Sequence, residues 1–207
     1  MTISEVYNED NLIGMARYPD KYFDLAVVDP PYGINRSKNF GMVKFGWVQH
    51  KRSEWDNCIP DKIYFKELFR ISKNQIIWGG NYFVKYLPPS MGWIVWDKLQ
   101  TDFSTSDCEL AFSSFQIKLR RYKMGRNVLA VEGSIHPTQK PVQLYKWLLK
   151  NYAKAGDKIL DTHLGSGSSR IACYDGGFDF VAFELDKEYF EAQEKRFKIH
   201  CMQQKLF

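Results

Sequence analysis

Short apolar runs alternate along the chain with stretches in which apolar residues recur every three or four positions. That alternation predicts an α/β fold with a doubly wound, mixed but mostly parallel sheet. Seven runs have strand character: residues 3–7, 24–29 (DLAVVD), 75–78 (QIIW), 93–96 (WIVW), 109–113, 158–161 (KILD) and 180–184 (FVAFE). Three helices fill gaps between them. The first begins at Pro141, where a missing N–H costs nothing, and presents Val142, Tyr145, Leu148, Leu149 and Tyr152 on one face, with Gly156 near its end. The second runs from about residue 168 to 174 and stops at Gly176-Gly177; the third starts after Asp186 and continues toward Phe197. Residues 33–57 and 113–135 follow neither period and read as surface loops.

Composition narrows the class. At 207 residues and 44% hydrophobic, the chain can bury one sizeable core, so a single domain over 1–207 is expected. No apolar run approaches the ~20 residues of a membrane span. The start, MTISEVYNEDN, lacks a charged-then-apolar leader, so a cytoplasmic location is expected. The net charge of +5 is compatible with a polyanionic partner without requiring one. Cys58, Cys108, Cys173 and Cys201 form no C-x-x-C pair, and the four histidines have no ligand spacing, so reduced thiols and no metal are expected.

Two segments carry chemistry. Asp29-Pro30-Pro31-Tyr32 ends an apolar strand, and ligands of open α/β sheets bind beyond the carboxyl ends of strands. The prolines fix the backbone and supply no N–H. A carboxylate, a free carbonyl and an aromatic face then stand together, a set suited to an amino group on a flat ring. Asp29 and the Pro30 carbonyl would accept its two N–H bonds, and Tyr32 would stack on the ring, worth roughly 1–3 kcal/mol for a base. Two such bonds would draw the amine toward tetrahedral geometry and localise its lone pair. Alone, the tetrapeptide reads equally as a strand end with a rigid turn.

The other segment is Asp161-Thr162-His163-Leu164-Gly165-Ser166-Gly167-Ser168, between a strand and a helix. Its glycines allow close approach to the backbone, and the helix N-terminus favours negative charge. Arg170 occupies the place of the third glycine of a dinucleotide fingerprint, and no G-K-[ST] is present. A nucleoside-type cofactor with a carboxylate and no phosphate fits better. Glu184 closes the next strand, where an acid typically binds ribose hydroxyls. A generic tight turn is the bland alternative for this unit.

Taken together, these motifs resemble the amino-methyltransferases of DNA in their permuted, beta-class order, with D-P-P-Y first and the glycine loop late. His136-Pro137-Thr138-Gln139-Lys140-Pro141 and Asn8-Glu9-Asp10-Asn11 resemble two further motifs of that family, and the likeness spans nearly the whole chain. The resemblance implies a Rossmann-like methyltransferase fold and transfer of a methyl group from S-adenosylmethionine to the N6 of adenine in double-stranded DNA. It implies catalytic roles for Asp29, Pro30, Pro31 and Tyr32. Asp161, His163, Gly165, Ser166 and Gly167 would serve the methionine arm, Glu184 the ribose, and Asp10 and Asn11 the adenine. Thr138, Gln139 and Lys140 would close over the methionine end. The glycine loop departs from the family's pattern at Thr162 and His163, where Pro and Phe are usual; His163 would pack there or make cofactor affinity pH-dependent.

Cytosine-N4 methylation is the nearest rival, and Asp at position 29 tilts toward adenine by analogy with the family. RNA or protein-glutamine methylation and a catalytically silent nucleic-acid-binding module are further alternatives. Lys118, Arg120, Arg121, Lys123 and Arg126, with Phe115 and Tyr122 among them, form a candidate surface for the DNA backbone. The loop from Gly33 to Trp55 could close over a flipped base, and Asn81 and Lys98 could border its pocket. Relatives in the family often form homodimers.

Overall fold

The computed structural model describes residues 2–34, 58–101, 106–125 and 127–204. Most of the 33–57 loop, from residue 35 onward, and Arg126 lie outside the described residues. The elements in chain order are β1 (Ser4–Tyr7), α1 (Asn11–Ala16), β2 (Phe23–Val28), α2 (Lys62–Ile71), β3 (Ser72–Trp78), a single 3-10 turn (Gly80–Tyr82), β4 (Ile94–Asp97), β5 (Cys108–Ser113), β6 (Arg120–Lys123), α3 (Val128–Glu132), α4 (Val142–Tyr152), β7 (Lys158–Asp161), α5 (Ser168–Gly176), β8 (Asp179–Phe183) and α6 (Lys187–Gln204). No helix among the described residues is long and apolar enough to cross a membrane.

One eight-stranded sheet runs β1-β8-β7-β2-β3-β5-β4-β6. Neighbours from β1 through β3 pair parallel, β5 is antiparallel to both β3 and β4, and β6 is parallel to β4. The expected doubly wound, mostly parallel sheet is therefore what forms. Central strands are apolar on both faces because helices cover both. Ala26, Val28 and Ile77 pack with Met15 of α1 and Tyr64, Phe65 and Leu68 of α2. Leu25, Val27, Ile76 and Trp78 face the opposite layer, with Leu144, Tyr145 and Leu148 of α4 and Ile171 of α5.

The strands match the apolar runs to within a few residues, and α4, α5 and α6 fall where the helical period puts them. The helices α1, α2 and α3 are not among those read from the sequence. Asp61 caps α2 by accepting from the amides of Ile63 and Tyr64, and Tyr64, Phe65, Leu68 and Ile71 form its buried face. Asp10 caps α1 in the same way. The reading of 113–135 as loop needs correction, since it contains β6 and α3. β6, with sequence RRYK, has three cations and no apolar alternation, because an edge strand need bury only one side. Tyr122 stacks on Trp147 at 4.9 Å, and Arg120 bonds Asn151 at 3.1 Å.

Arg170, the residue that breaks the dinucleotide fingerprint, has a structural task. It is buried on α5 and reaches Ser4 of β1 (3.1 Å) and Gln193 and Glu194 of α6 (3.0 and 2.6 Å), with its guanidinium over the Phe197 ring. It ties the first strand and the last helix to the helix behind the glycine loop. Arg170→Met is expected to keep the stem's packing, lose these charge-assisted bonds and lower unfolding free energy in urea by about 2–3 kcal/mol.

Candidate functional site

β7 continues through α5 to β8 on one side, whereas β2 continues through α2 to β3 on the other. β7 and β2 are neighbours, with Leu25 opposite Ile159 and Ala26 opposite Leu160. Their carboxyl ends form the switch point at which an open α/β sheet leaves a crevice. A cavity of about 390 Å³ lies there. Asn11, Asp29, Pro31, Thr138, Gln139, Lys140, His163, Gly165, Ser166 and Glu184 all line it. Asp10, Pro30, Tyr32, Asp161 and Gly167 are not on its wall. Glu9, from the 8–11 segment, and Tyr145 join the lining.

The glycine loop is held open by its neighbours. Gly165 donates its N–H to Glu184 Oε2 at 2.7 Å, and Glu184 Oε1 accepts from the Asp186 amide at 2.9 Å. Gly165 and Gly167 have φ of +52° and +73°, a region that side chains strain to enter. Asp161, behind the loop, accepts from the His163 amide (3.1 Å) and the Ser169 hydroxyl (2.5 Å). Burial pushes its carboxyl up to about 7, against the lowering effect of those two bonds. From α6, Arg196 donates to Ser166 O and Ser168 Oγ, both at 2.9 Å, and pairs with Glu132 of α3. Glu132 in turn accepts from the Val142 amide at the start of α4.

His163 is neutral. Its Nε2 lies 3.1 Å from the Asn11 amide nitrogen, which can only donate, so that ring nitrogen accepts. Its Nδ1 then carries the proton toward Thr162 Oγ1 at 3.0 Å, and Thr162 meets the Tyr64 hydroxyl at 2.7 Å. Burial holds the imidazole down at about 3. The ring thus sits in the loop as a packed, hydrogen-bonded group. Asp10 spends one carboxylate oxygen on the amides of Leu12 and Ile13, which orients α1 and with it Asn11. Gln139 bonds within its own segment, to Gly133 O at 2.8 Å and the Ile135 amide at 3.0 Å. Thr138 caps the His136 ring nitrogen through its hydroxyl at 3.1 Å.

Asp29 has both oxygens engaged. Oδ1 accepts from the Tyr32 hydroxyl at 2.6 Å, and Oδ2 accepts from Lys140 Nζ. Lys140 also lies 3.2 Å from Glu109 Oε2, and Glu109 Oε1 pairs with Lys98 at 2.9 Å. Four charges therefore run in a line, Asp29–Lys140–Glu109–Lys98, with both lysine side chains almost wholly buried. Burial raises the Asp29 carboxyl, and Lys140 only partly offsets this. Burial also opposes the charge on Glu109, but the two flanking lysines outweigh it and hold that carboxyl at about 2. Lys98 is thus one ion pair removed from Asp29's partner, while Asn81 is exposed on the 3-10 turn. Its neighbour Tyr82 stacks on Tyr32 instead, at 5.0 Å between centroids.

Glu109 and Gly79 are the site residues hardest to foresee. Glu109 opens β5, and because β5 alone runs antiparallel to its neighbours, its start lies at the edge where the parallel strands end. Gly79 has φ of +68°, and a Cβ there would fall 2.2 Å from the Tyr32 ring. The Gly79-Gly80 pair after QIIW was visible as a strand stop, but its purpose, room for Tyr32, needed the fold.

The N6/N4 methyltransferase family model, described as DNA methylase, matches residues 77–195, more than half of the chain. The Type II methyltransferase M2.DpnII of Streptococcus pneumoniae is 38% identical over 61 residues, which cover 30% of this chain and 23% of that protein. The match therefore spans less than a quarter of that relative's length. Among solved structures, the M1.HpyAVI–SAM complex aligns with a TM-score of 0.61 at 20% identity, over 93% of this chain and 98% of that one. PvuII DNA methyltransferase (cytosine-N4-specific) aligns with a TM-score of 0.64 at 13% identity, over 95% and 87%. These two likenesses establish a shared fold. With the family match over more than half of its length, the chain belongs to the N6/N4 DNA methylases.

Proposed function

We propose that the protein methylates the exocyclic N6 of adenine in double-stranded DNA, with S-adenosylmethionine as the methyl donor. The observation that carries the reading is one cavity shared by Asp29 and the glycine loop. Its volume falls within the ~300–1,000 Å³ common for small-ligand sites. Glu184 on its wall suits ribose hydroxyls, Asn11 suits an adenine edge, and the turn at Gly165 and Ser166 suits the methionine arm. When bound, S-adenosylmethionine supplies an electrophilic methyl group on a sulfonium.

The chain's own residues do the rest. The base leaves its stack to reach the cavity. Asp29 and the Pro30 carbonyl accept the two amine N–H bonds, which localises the nitrogen lone pair toward the methyl group. Tyr32 stacks on the ring, in a place that Tyr82 now occupies. Asp29 is positioned to receive the proton that the methylated nitrogen sheds. Asp rather than Ser at position 29 favours adenine over cytosine, by analogy with the family. Exposed Lys118, Arg121 and Lys123, beside half-buried Arg120, offer a backbone-binding face whose affinity would fall with salt. The type II relative supports a place in restriction-modification.

The direct test is incubation with S-adenosylmethionine and unmethylated genomic DNA, then digestion and mass spectrometry of the nucleosides. N6-methyladenine is expected; N4-methylcytosine would move the base and keep the mechanism. Asp29→Ala is expected to abolish transfer and leave cofactor affinity by calorimetry largely intact. Gly79→Ala should force the Tyr32 ring out of place and slow transfer by up to about a hundredfold, the scale of a misplaced catalytic group, again with cofactor binding spared. Asp161 gives a stability test. Its folded value near 7 lies above its unfolded value of about 4. Its contribution to stability is therefore full below about pH 4 and is lost as the pH rises through about 7. Asp161→Asn should accordingly gain on the wild type in urea unfolding between pH 5 and pH 8, by at least about 1.4 kcal/mol, the worth of one pKa unit.

A further inference from the structure

The four-charge line beside Asp29 raises a question that the transfer mechanism leaves open. Before a base arrives, Asp29 accepts from Tyr32 on one oxygen and from Lys140 on the other. A target amine needs a place on that carboxylate. If Lys140 simply withdrew, it would become an unpaired buried cation, which is strongly unfavourable. If it stayed, it would compete with the base.

We propose that Glu109 is a positioning residue for the transfer: it is a second seat for the Lys140 ammonium, anchored by Lys98, to which Lys140 moves when a base takes its place on Asp29. The inference rests on the reading of Asp29 as the acceptor of the target amine. Three observations carry it. Glu109 Oε2 is buried and already ion-pairs with Lys140 Nζ at 3.2 Å, without a well-aligned hydrogen bond while the ammonium also holds Asp29. A short swing of the lysine stem would tighten that contact as the one to Asp29 is given up. The other oxygen, Oε1, is fixed by Lys98 at 2.9 Å, and Lys98 is 1% exposed and donates also to Ser106 O at 3.0 Å, so the seat does not wander. The ammonium lies over two aromatic rings, with Trp78 at 5.4 Å and Tyr32 at 5.7 Å, which favour a cation at this place. Lys140 gives up its pair with Asp29 and keeps the one it already has with Glu109, so it is never left unpaired.

The exchange leaves a signature in pH dependence. The charged and titratable groups facing Asp29 are Lys140 and Tyr145 at α4, Glu109 of β5, Tyr32 of its own loop, Tyr64 of α2 and Asp161 of β7. Glu109 makes Asp29 harder to ionise and Lys140 makes it easier. Glu109→Gln removes the opposing charge and leaves Lys140 wholly on Asp29. The acid limb of the transfer rate, which reports Asp29 ionisation, then moves to lower pH even as the rate falls.

The experiment is single-turnover transfer from tritiated S-adenosylmethionine to unmethylated genomic DNA, with enzyme in excess, from about pH 5 to pH 9. Glu109→Gln is expected to slow transfer by about tenfold or more with its acid limb shifted down, while cofactor affinity by calorimetry changes less than about twofold. Glu109→Asp, which keeps the charge, should recover much of the rate and hold the limb near the wild-type position. In a Lys140→Gln background, where no ammonium remains to be seated, adding Glu109→Gln should change the rate by less than about twofold. This double variant removes one charge of each sign and so decides the question even if Glu109→Gln alone fails to fold. A wild-type rate and limb in Glu109→Gln would overturn the proposal, as would an equal loss at every pH or additive effects in the double variant. Asp29→Ala distinguishes the two levels. If it keeps near-normal transfer, the role of Asp29 is wrong and the seat falls with it. If it is inactive while Glu109→Gln behaves as wild type, only the seat is wrong.

Discussion

The site depends on the parallel pairing of β2 with β7. Leu25 opposite Ile159 and Ala26 opposite Leu160 bring together two segments far apart in the chain. Both strands are apolar on each face and are stable only between two helical layers, so the pairing and the packing of α2, α4 and α5 require one another. The pairing also sets two acidic positions, Asp29 and Asp161, side by side in a dry environment. Two carboxylates there cannot both remain bare anions. The structure resolves the conflict in two ways. Asp29 takes a cation, Lys140, and stays available for chemistry. Asp161 favours a proton and holds the glycine loop through the His163 amide and Ser169. Neighbouring strand ends thus receive different jobs from their surroundings alone.

Much of this was legible in the chain. D-P-P-Y and the glycine loop are local signals, and the strands that lead to them are apolar runs bounded by turns. The period-3.6 face of α4 is present to the residue, from Val142 to Tyr152. What was not legible has physical causes. The direction of a strand leaves no mark on its sequence, so Glu109 could not be placed beside Asp29. RRYK does not look like a strand because a sheet edge asks little of it. The capping role of Asp10 is hidden behind its reading as a ligand contact, since a cap and a binding carboxylate are the same residue type in the same kind of turn. Lys140, expected at the methionine end, also pairs with Asp29, a contact that only the approach of the segment before α4 to the end of β2 defines.

Lysines as deeply buried as Lys98 and Lys140 are unusual, and apolar residues of similar size would often be at least as stable. Departures from packing rules cluster at functional sites. The same holds for the left-handed backbone of Gly79, which the sheet tolerates so that Tyr32 can lie against it. Arg170 and Arg196 differ in kind: they bind α6 to the layers around the loop, and their charges are structural.

The order of strands has a consequence for how the chain is made. Among the described residues β1 pairs only with β8, Ser4 opposite Phe180 and Tyr7 opposite Phe183. β2 likewise needs β7 on one side. At roughly 5–20 residues per second of synthesis, the first strand waits on the order of ten to thirty seconds on the ribosome before its partner exists. Until then Val6 and the apolar edge of β2 have no native neighbour on that side, and the growing chain exposes unpaired strand edges of the sort that chaperones cover. The motif order that sets D-P-P-Y before the glycine loop therefore keeps the two halves of the site apart until most of the residues between them have been made.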